Sequence, residues 1–213
     1  MPILSYILTA LGAYLLGSIP FGFLMAKAKG IDIRKAGSGN IGATNALRVL
    51  GKPAGIAVLL LDVAKGFAAV WLCAVLVKQF SANTDLETLR VVAGIGAVLG
   101  HNYTCWLKFK GGKGIATTLG VLIGLSFKIA GLKSVLGLVI LTWIIVFAVT
   151  RIVSLSSISS AVLLPVYMMI FRQSKVLIFS GLLLSIFAII RHKSNLLRLL
   201  QGKEPRLSFK KTK

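Results

Sequence analysis

The sequence predicts an all-α, polytopic integral membrane protein with seven transmembrane helices, five being the rival count, and glycine-rich cytoplasmic loops. Three observations predict it. Apolar residues make up 56% of the 213 and charged residues only 14%, where soluble domains carry about 25% charge. Mean hydropathy is +0.89, which leaves too little polar surface to cover a globule. The uncharged runs are also long enough, since crossing about 30 Å of hydrocarbon takes about 20 mainly apolar residues.

Taken in order, the apolar runs are Ile3 to Ala26, Ala54 to Val77, Val91 to Leu107, Ile115 to Phe127, Val135 to Thr150, Ser156 to Phe171 and Val176 to Ile190. The first two are full length. The fourth is short and the last two are modest, so tilt, snorkelling neighbours or re-entry adjust them. The first run lacks the positive n-region of a signal peptide and is too long for an h-region, so it reads as a retained helix.

Cation placement supports an odd number of crossings, with the N-terminus outside and the C-terminus cytoplasmic. Eighteen Lys and Arg then face inward: the Lys27 to Lys52 segment, Lys108, Lys110, Lys113, Arg151 and the tail from Arg191 to Lys213. Six face outward, at Lys78, Arg90, Lys128, Lys133, Arg172 and Lys175. This asymmetry is the positive-inside pattern, and an even count would put the first basic loop or the basic tail outside. No internal repeat or low-complexity tract divides the chain, so residues 1–213 read as one membrane domain.

Several classes drop out. A net charge of +20 does not make a nucleic-acid binder, because no soluble basic domain is present. Cys73 and Cys105 are too few for a disulfide scaffold, and there is no CxxC, so neither structural zinc nor another cofactor is expected. His101, with Cys105 at i+4, is read as hydrogen-bonding another helix. Asp62 and Lys65 lie three residues apart within a span, where mutual pairing is the expected role.

Polar chemistry collects in three places. The stretch GSGNIGATNALR, Gly37 to Arg48, sets glycines among Ser38, Asn40, Thr44, Asn45 and Arg48. Glycines let backbone N–H groups approach closely, and hydroxyls, amides and a guanidinium add donors, a set suited to phosphate. It also fits GxGxxG, but a membrane helix precedes it and no βαβ unit follows, which excludes a dinucleotide fold.

The second is Lys108 to Gly114, KFKGGKG. It is not a Walker A motif, because Leu107 stands where glycine is needed and Gly114 replaces the Ser or Thr that holds magnesium. Open amides at Gly111, Gly112 and Gly114, a helix N-terminus and Lys113 as a point charge would still cradle an anion. The third is Arg191-His192-Lys193-Ser194-Asn195, where a continuing helix would put His192 and Asn195 on one face at i and i+3. Arg151, with Ser154 or Ser157, is a further candidate for the same anion site, the other serines of the 154–160 run serving helix packing. In the seven-pass arrangement all these groups share the cytoplasmic face.

At these residues the chain resembles the bacterial acyl-phosphate-dependent glycerol-3-phosphate acyltransferases, the PlsY family of integral membrane enzymes. The resemblance runs through LLGSIPFG, GSGNIGATNALR, LDVAKG, GHNYTCWLKFKGGKGIAT, RIVSLSS and RHKSNLLRLLQGKE. It implies that Ser38, Asn40, Asn45, Arg48, Lys113, Ser157, His192 and Asn195 line the active site. It also implies that Gly111 to Gly114 form the phosphate loop and that Glu204 serves structural integrity.

The reaction so implied is attack by the sn-1 hydroxyl of glycerol 3-phosphate on a long-chain acyl phosphate, giving lysophosphatidic acid and inorganic phosphate. No covalent intermediate is required, in keeping with only five carboxylates, Asp32, Asp62, Asp85, Glu87 and Glu204, and with no His-x4-Asp motif. The base is His192 or, preferred, a phosphate oxygen of the donor. The expected partners are both substrates and membrane lipid, with no nucleic acid, and the expected state is a monomer in a bacterial plasma membrane. A phosphate or organophosphate transporter is the alternative, although such proteins place their site near the midplane between repeats.

Overall fold

The computed structural model describes residues 2–79 and 84–207, and among these it is all-helical, with no strand. The chain divides into two compact units, Met1–Ala130 and Gly131–Lys213.

In the first unit the opening apolar run becomes α1 (Pro2–Ser18) and α2 (Phe21–Lys27), interrupted at Ile19 and Pro20. Proline supplies no N–H to the helical ladder, so a break beside Pro20 follows from its chemistry. A short α3 (Ala43–Leu50) comes next, then α4 (Lys52–Ala68), a five-residue π segment at Ala69–Cys73, and α5 (Ala74–Gln79). Helix α6 (Leu86–Asn102) starts earlier than the apolar run suggests, because the Asp85 carboxylate accepts the Thr88 N–H at 2.7 Å as an N-cap. It also stops before Leu107, which falls in the separate 3-10 turn Cys105–Leu107. Helix α7 (Ile115–Ser126) completes the unit.

Helix α1 packs on α6 and α4 on α7. Glycines permit these close approaches: a Cβ at Gly100 would collide with the Tyr14 carbonyl, and one at Gly120 with the Val63 carbonyl. Small residues at crossings are how membrane helices gain van der Waals contact without a hydrophobic driving force. The opposite face of α1, with Leu4, Ile7, Leu8, Leu11 and Leu15, is exposed, as suits a surface meeting lipid.

The second unit holds α8 (Leu132–Thr150), α9 (Val153–Ile170), α10 (Lys175–Arg191) and α11 (Lys193–Leu200). Helix α9 packs against both α8 and α10. Two serines of α9 donate to backbone carbonyls, Ser156 to Ile152 at 2.9 Å and Ser160 to Val139 of α8 at 3.2 Å.

Among the described residues, four helical stretches are long and apolar enough to cross a membrane: Ile3–Lys27, Lys52–Gln79, Leu132–Thr150 and Val153–Ile170. The α10–α11 pair, bent by 63°, makes a fifth if counted as one span. The shortfall from seven lies in helix length. At 1.5 Å per residue α6 and α10 reach only about 26 Å and α7 about 18 Å.

Candidate functional site

In the first unit the segment before α3 is built around Asn45. Its side chain is 2% exposed. The amide nitrogen donates to the Asn40 carbonyl at 2.8 Å, the Ala36 carbonyl at 3.0 Å and the Ile33 carbonyl at 3.3 Å, while Oδ1 accepts the Ser38 N–H at 2.8 Å. Four backbone groups of an irregular segment thus find a partner in one side chain, which is how a loop meets its hydrogen-bond requirement away from regular structure. Asn40 adds a turn of its own, its Oδ1 accepting the Gly42 N–H at 2.9 Å. Gly37 and Gly39 take positive φ, 59° and 71°, which glycine adopts without steric cost.

The segment therefore sorts its donors. Asn45 is turned inward as a pin, whereas Ser38 and Arg48 are exposed and Asn40 and Thr44 are half-buried. Sequence reasoning read the whole stretch as a loop and missed α3, although the strong amphipathy of ATNALRVL marks a short helix. Asp32 precedes the segment, half-buried and paired with exposed Arg34 at 2.9 Å. The Arg34 hydrogen bond lowers the Asp32 pKa to about 2.

The glycine loop lies at the other end of α6. Leu107, just before it, shares a core with Ile33, Ile41 and Ala46 of the Asn45 segment, so both donor-rich stretches are anchored on one apolar cluster. The expected open amides are corrected here. The Gly111 N–H donates to the Asn102 carbonyl at 3.1 Å and the Gly112 N–H to the His101 carbonyl at 3.0 Å. These are carbonyls of the last turn of α6, which need partners from outside the helix, and the glycines serve as its C-terminal cap. What the loop offers an anion is concentrated beyond them, at half-buried Lys113, at Gly114 (φ 81°) and in the first turn of α7.

Beneath the loop lies a buried polar group within the helices. Lys65 Nζ is 2.8 Å from Asp62 Oδ1, the expected pairing, and donates to the Ile19 carbonyl at 2.8 Å. His101 Nδ1 is 3.5 Å from the same Asp62 oxygen, so His101 does meet another helix, α4.

In the second unit Glu204 is the centre. Its Oε1 accepts Ser154 Oγ at 2.7 Å and Asn195 Nδ2 at 2.5 Å, and its Oε2 pairs with Arg198 Nε at 2.7 Å. Burial alone would raise the Glu204 carboxyl, but the hydrogen bonds from Ser154, Asn195 and Arg198, with the charge of Arg198, outweigh it and hold the pKa below its ordinary value. A further tie joins Leu207 N–H to the Arg151 carbonyl at 2.8 Å. The tail after α11 is so clipped to the start of α9 and to α11 itself.

His192 occupies the break between α10 and α11, not the interior of a continuing helix, so the expected i, i+3 face is replaced by a 63° bend. Its Nδ1 lies 2.7 Å from the Ala188 carbonyl. A carbonyl only accepts, so Nδ1 carries the proton, and in the neutral ring Nε2 is then the basic nitrogen. Ser157 is buried, donating to the Val153 carbonyl at 2.9 Å and accepting Trp143 Nε1 at 3.3 Å. Arg151 is exposed with φ 59°. Ser154 and Asn195 thus come together on Glu204, a meeting across 50 residues of sequence that no local pattern announces.

The comparisons with known proteins bear on the whole chain. A family model described as glycerol-3-phosphate acyltransferase matches residues 7–202. A glycerol-3-phosphate acyltransferase of Desulforamulus reducens is 46% identical over 210 residues, covering 98% of each chain. One from Synechococcus sp. (strain JA-3-3Ab) is 44% identical over 208 residues, 97% of this chain and 96% of the relative. The crystal structure of PlsY (YgiH), an integral membrane glycerol 3-phosphate acyltransferase, in its glycerol 3-phosphate form, aligns with a TM-score of 0.83 at 38% identity, covering 96% of both chains. Its lysophosphatidic acid form aligns at 0.81. On a match that runs through both compact units at this identity, the chain belongs to the glycerol-3-phosphate acyltransferase family of integral membrane proteins.

Proposed function

We propose that this protein transfers a long-chain acyl group from acyl phosphate to the sn-1 hydroxyl of glycerol 3-phosphate, releasing lysophosphatidic acid and inorganic phosphate. The observation that carries the proposal is its likeness, over 96% of the chain, to a PlsY crystallised in glycerol 3-phosphate and lysophosphatidic acid forms, an acceptor and its acylated product.

The chemistry balances without a covalent enzyme intermediate. The sn-1 oxygen attacks the acyl carbonyl, the hydroxyl proton passes to a phosphate oxygen of the donor, and the tetrahedral species expels phosphate as the ester forms. His192 Nε2 is the competing base. Arg48, Lys113, His192 and Asn195 take the acceptor phosphate in this reading. Ser38, Ser157 and the amides of Gly114 and the α7 first turn take the donor phosphate and the developing oxyanion. Asn40, Asn45, Gly111 and Gly112 shape the backbone that presents these groups, a role supported by their hydrogen bonds. Thr44, Arg151 and Ser154 are assigned to binding.

The same reading keeps a monomer with one acyltransferase domain, seven crossings, an outside N-terminus and chemistry at the cytoplasmic face of the plasma membrane. The acyl chain stays in the inner leaflet, since each methylene in water costs about 0.8 kcal/mol. Purified protein in lipid, given glycerol 3-phosphate and palmitoyl phosphate, is expected to form lysophosphatidic acid and phosphate in equal amounts. Product formation from palmitoyl-CoA or palmitoyl acyl carrier protein, with none from palmitoyl phosphate, would overturn the donor assignment. Absence of product from all three donors would overturn the reaction.

A further inference from the structure

The glycine loop is tied to α6 through backbone, yet it also rests on a side chain that the proposed chemistry does not use. A Cβ added at Gly112 would run into the His101 imidazole, at 2.8 Å from Cε1 and 3.0 Å from Cδ2. The imidazole therefore presents its Nε2 edge to the loop at Gly112, with its Nδ1 side toward Asp62. His101 is 5% exposed and Asp62 2%. Asp62 is held in turn by Lys65, whose ammonium also bonds the Ile19 carbonyl and lies 5.6 Å from the Phe21 ring centre.

A buried carboxylate and ammonium are costly inside a membrane, and mutual pairing repays that cost only when their remaining polar capacity is also met. Here the α1 break supplies the Ile19 carbonyl to Lys65, and the His101 ring lies beside Asp62 at 3.5 Å. The result is a rigid column from α1 through α4 to the end of α6, and its last member touches the loop one residue before Lys113.

We propose that His101, braced by Asp62 and Lys65, is a positioning residue that sets the height and orientation of the Gly111–Gly114 loop and thereby aims Lys113. It acts through the loop and touches no reacting atom. Gly112 lacks a side chain because the imbedded ring occupies that volume, which separates its role from that of an anion-binding glycine. The proposal deepens the acyl-phosphate reading and, for its kinetic arm, rests on it.

The test uses the full chain in detergent or lipid and two readouts, amide hydrogen exchange over residues 108–114 and steady-state kinetics. In His101→Phe, exchange at Gly111 and Gly112 is expected to rise about 10-fold while α1 and α8 stay unchanged, because a local opening has been made easier without global unfolding. The kinetic loss is expected to be about 10- to 100-fold in kcat/KM for palmitoyl phosphate, the size that a misplacement near 1 Å produces. His101→Gln, which keeps a hydrogen-bonding amide toward Asp62, should recover most of both. Asp62→Asn combined with Lys65→Met removes the charges together and should loosen the loop in the same direction, so the question stays answerable if the phenylalanine variant does not fold. Unchanged loop exchange in a folded His101→Phe or in the double variant would overturn the proposal. If the wild type ignores palmitoyl phosphate, the donor reading falls, and the exchange result alone still decides the strut.

Discussion

Two side chains organise irregular backbone in this protein, and they do it by opposite means. Asn45 in the first unit is a neutral amide sealed from solvent that gathers Ser38, Asn40, Ala36 and Ile33. Glu204 in the second unit is a carboxylate that gathers Ser154, Asn195 and Arg198. The neutral pin bonds backbone atoms and is indifferent to pH. The charged clip bonds side chains and depends on its own ionisation. A segment that must present exposed donors such as Ser38 and Arg48 is fixed through its main chain, leaving the side chains available. A segment whose side chains are proposed for the site, Ser154 and Asn195, is fixed by giving up part of their hydrogen-bonding capacity.

The largest effects should fall on the groups that the neutral pin leaves outside. Lys113→Ala and Arg48→Ala are each expected to lose about 100-fold or more in turnover, the scale of removing one well-placed donor to a developing charge. Thermal unfolding of both should stay near wild type; normal turnover in both would detach these cations from the site. Asn45→Ala comes next. It strips three carbonyls and an N–H of partners at once, so a loss of about 4 kcal/mol is expected, at about 1 kcal/mol for each bond removed. That loss should be the same at pH 4 and pH 8.

Glu204→Gln should cost less, about 1–2 kcal/mol, since two of three bonds can reform on the amide oxygen while the charge is lost. The sign of its pH dependence distinguishes it from Asn45. The Glu204 pKa is lowered on folding, so its contribution is present above the ordinary carboxyl value of about 4.3 and fades as pH falls through the folded value. Denaturation midpoints should therefore converge for wild type and Glu204→Gln under acid conditions, and a constant gap would break the contrast drawn with Asn45. The smallest effect is expected at Asp32→Asn. Its pair with Arg34 is solvent-exposed, and such pairs contribute little. Neither the thermal midpoint nor turnover should move measurably.

How far the sequence reveals all this varies with the range of the interaction. The apolar runs were legible because the bilayer imposes one length and one polarity on every span. The Asp62–Lys65 pair was legible because i, i+3 spacing on a helix fixes proximity. The Pro20 break and the early start of α6 at Asp85 shifted boundaries that a count of apolar residues does not sense. Amides at Gly111 and Gly112 were read as open to an anion, although they close the end of α6; the letters are the same for a cap and for a cradle, and only the fold decides. His192 ends a helix where an unbroken one was expected. The Glu204 clip draws on residues 50 and 9 positions away, and composition carries no trace of it, so it was reachable only through family resemblance.

The interruption at Pro20 has a price and a use. An uninterrupted first helix would commit the Ile19 carbonyl to its own ladder, yet here that oxygen receives the Lys65 ammonium. A kink in one segment thereby shelters a cation on another. Straightening the first helix by Pro20→Ala should leave hydropathy nearly unaltered while making a lysine at mid-helix far less tolerable, so the tolerance of this sequence for charge in lipid is written partly in a residue that bears none.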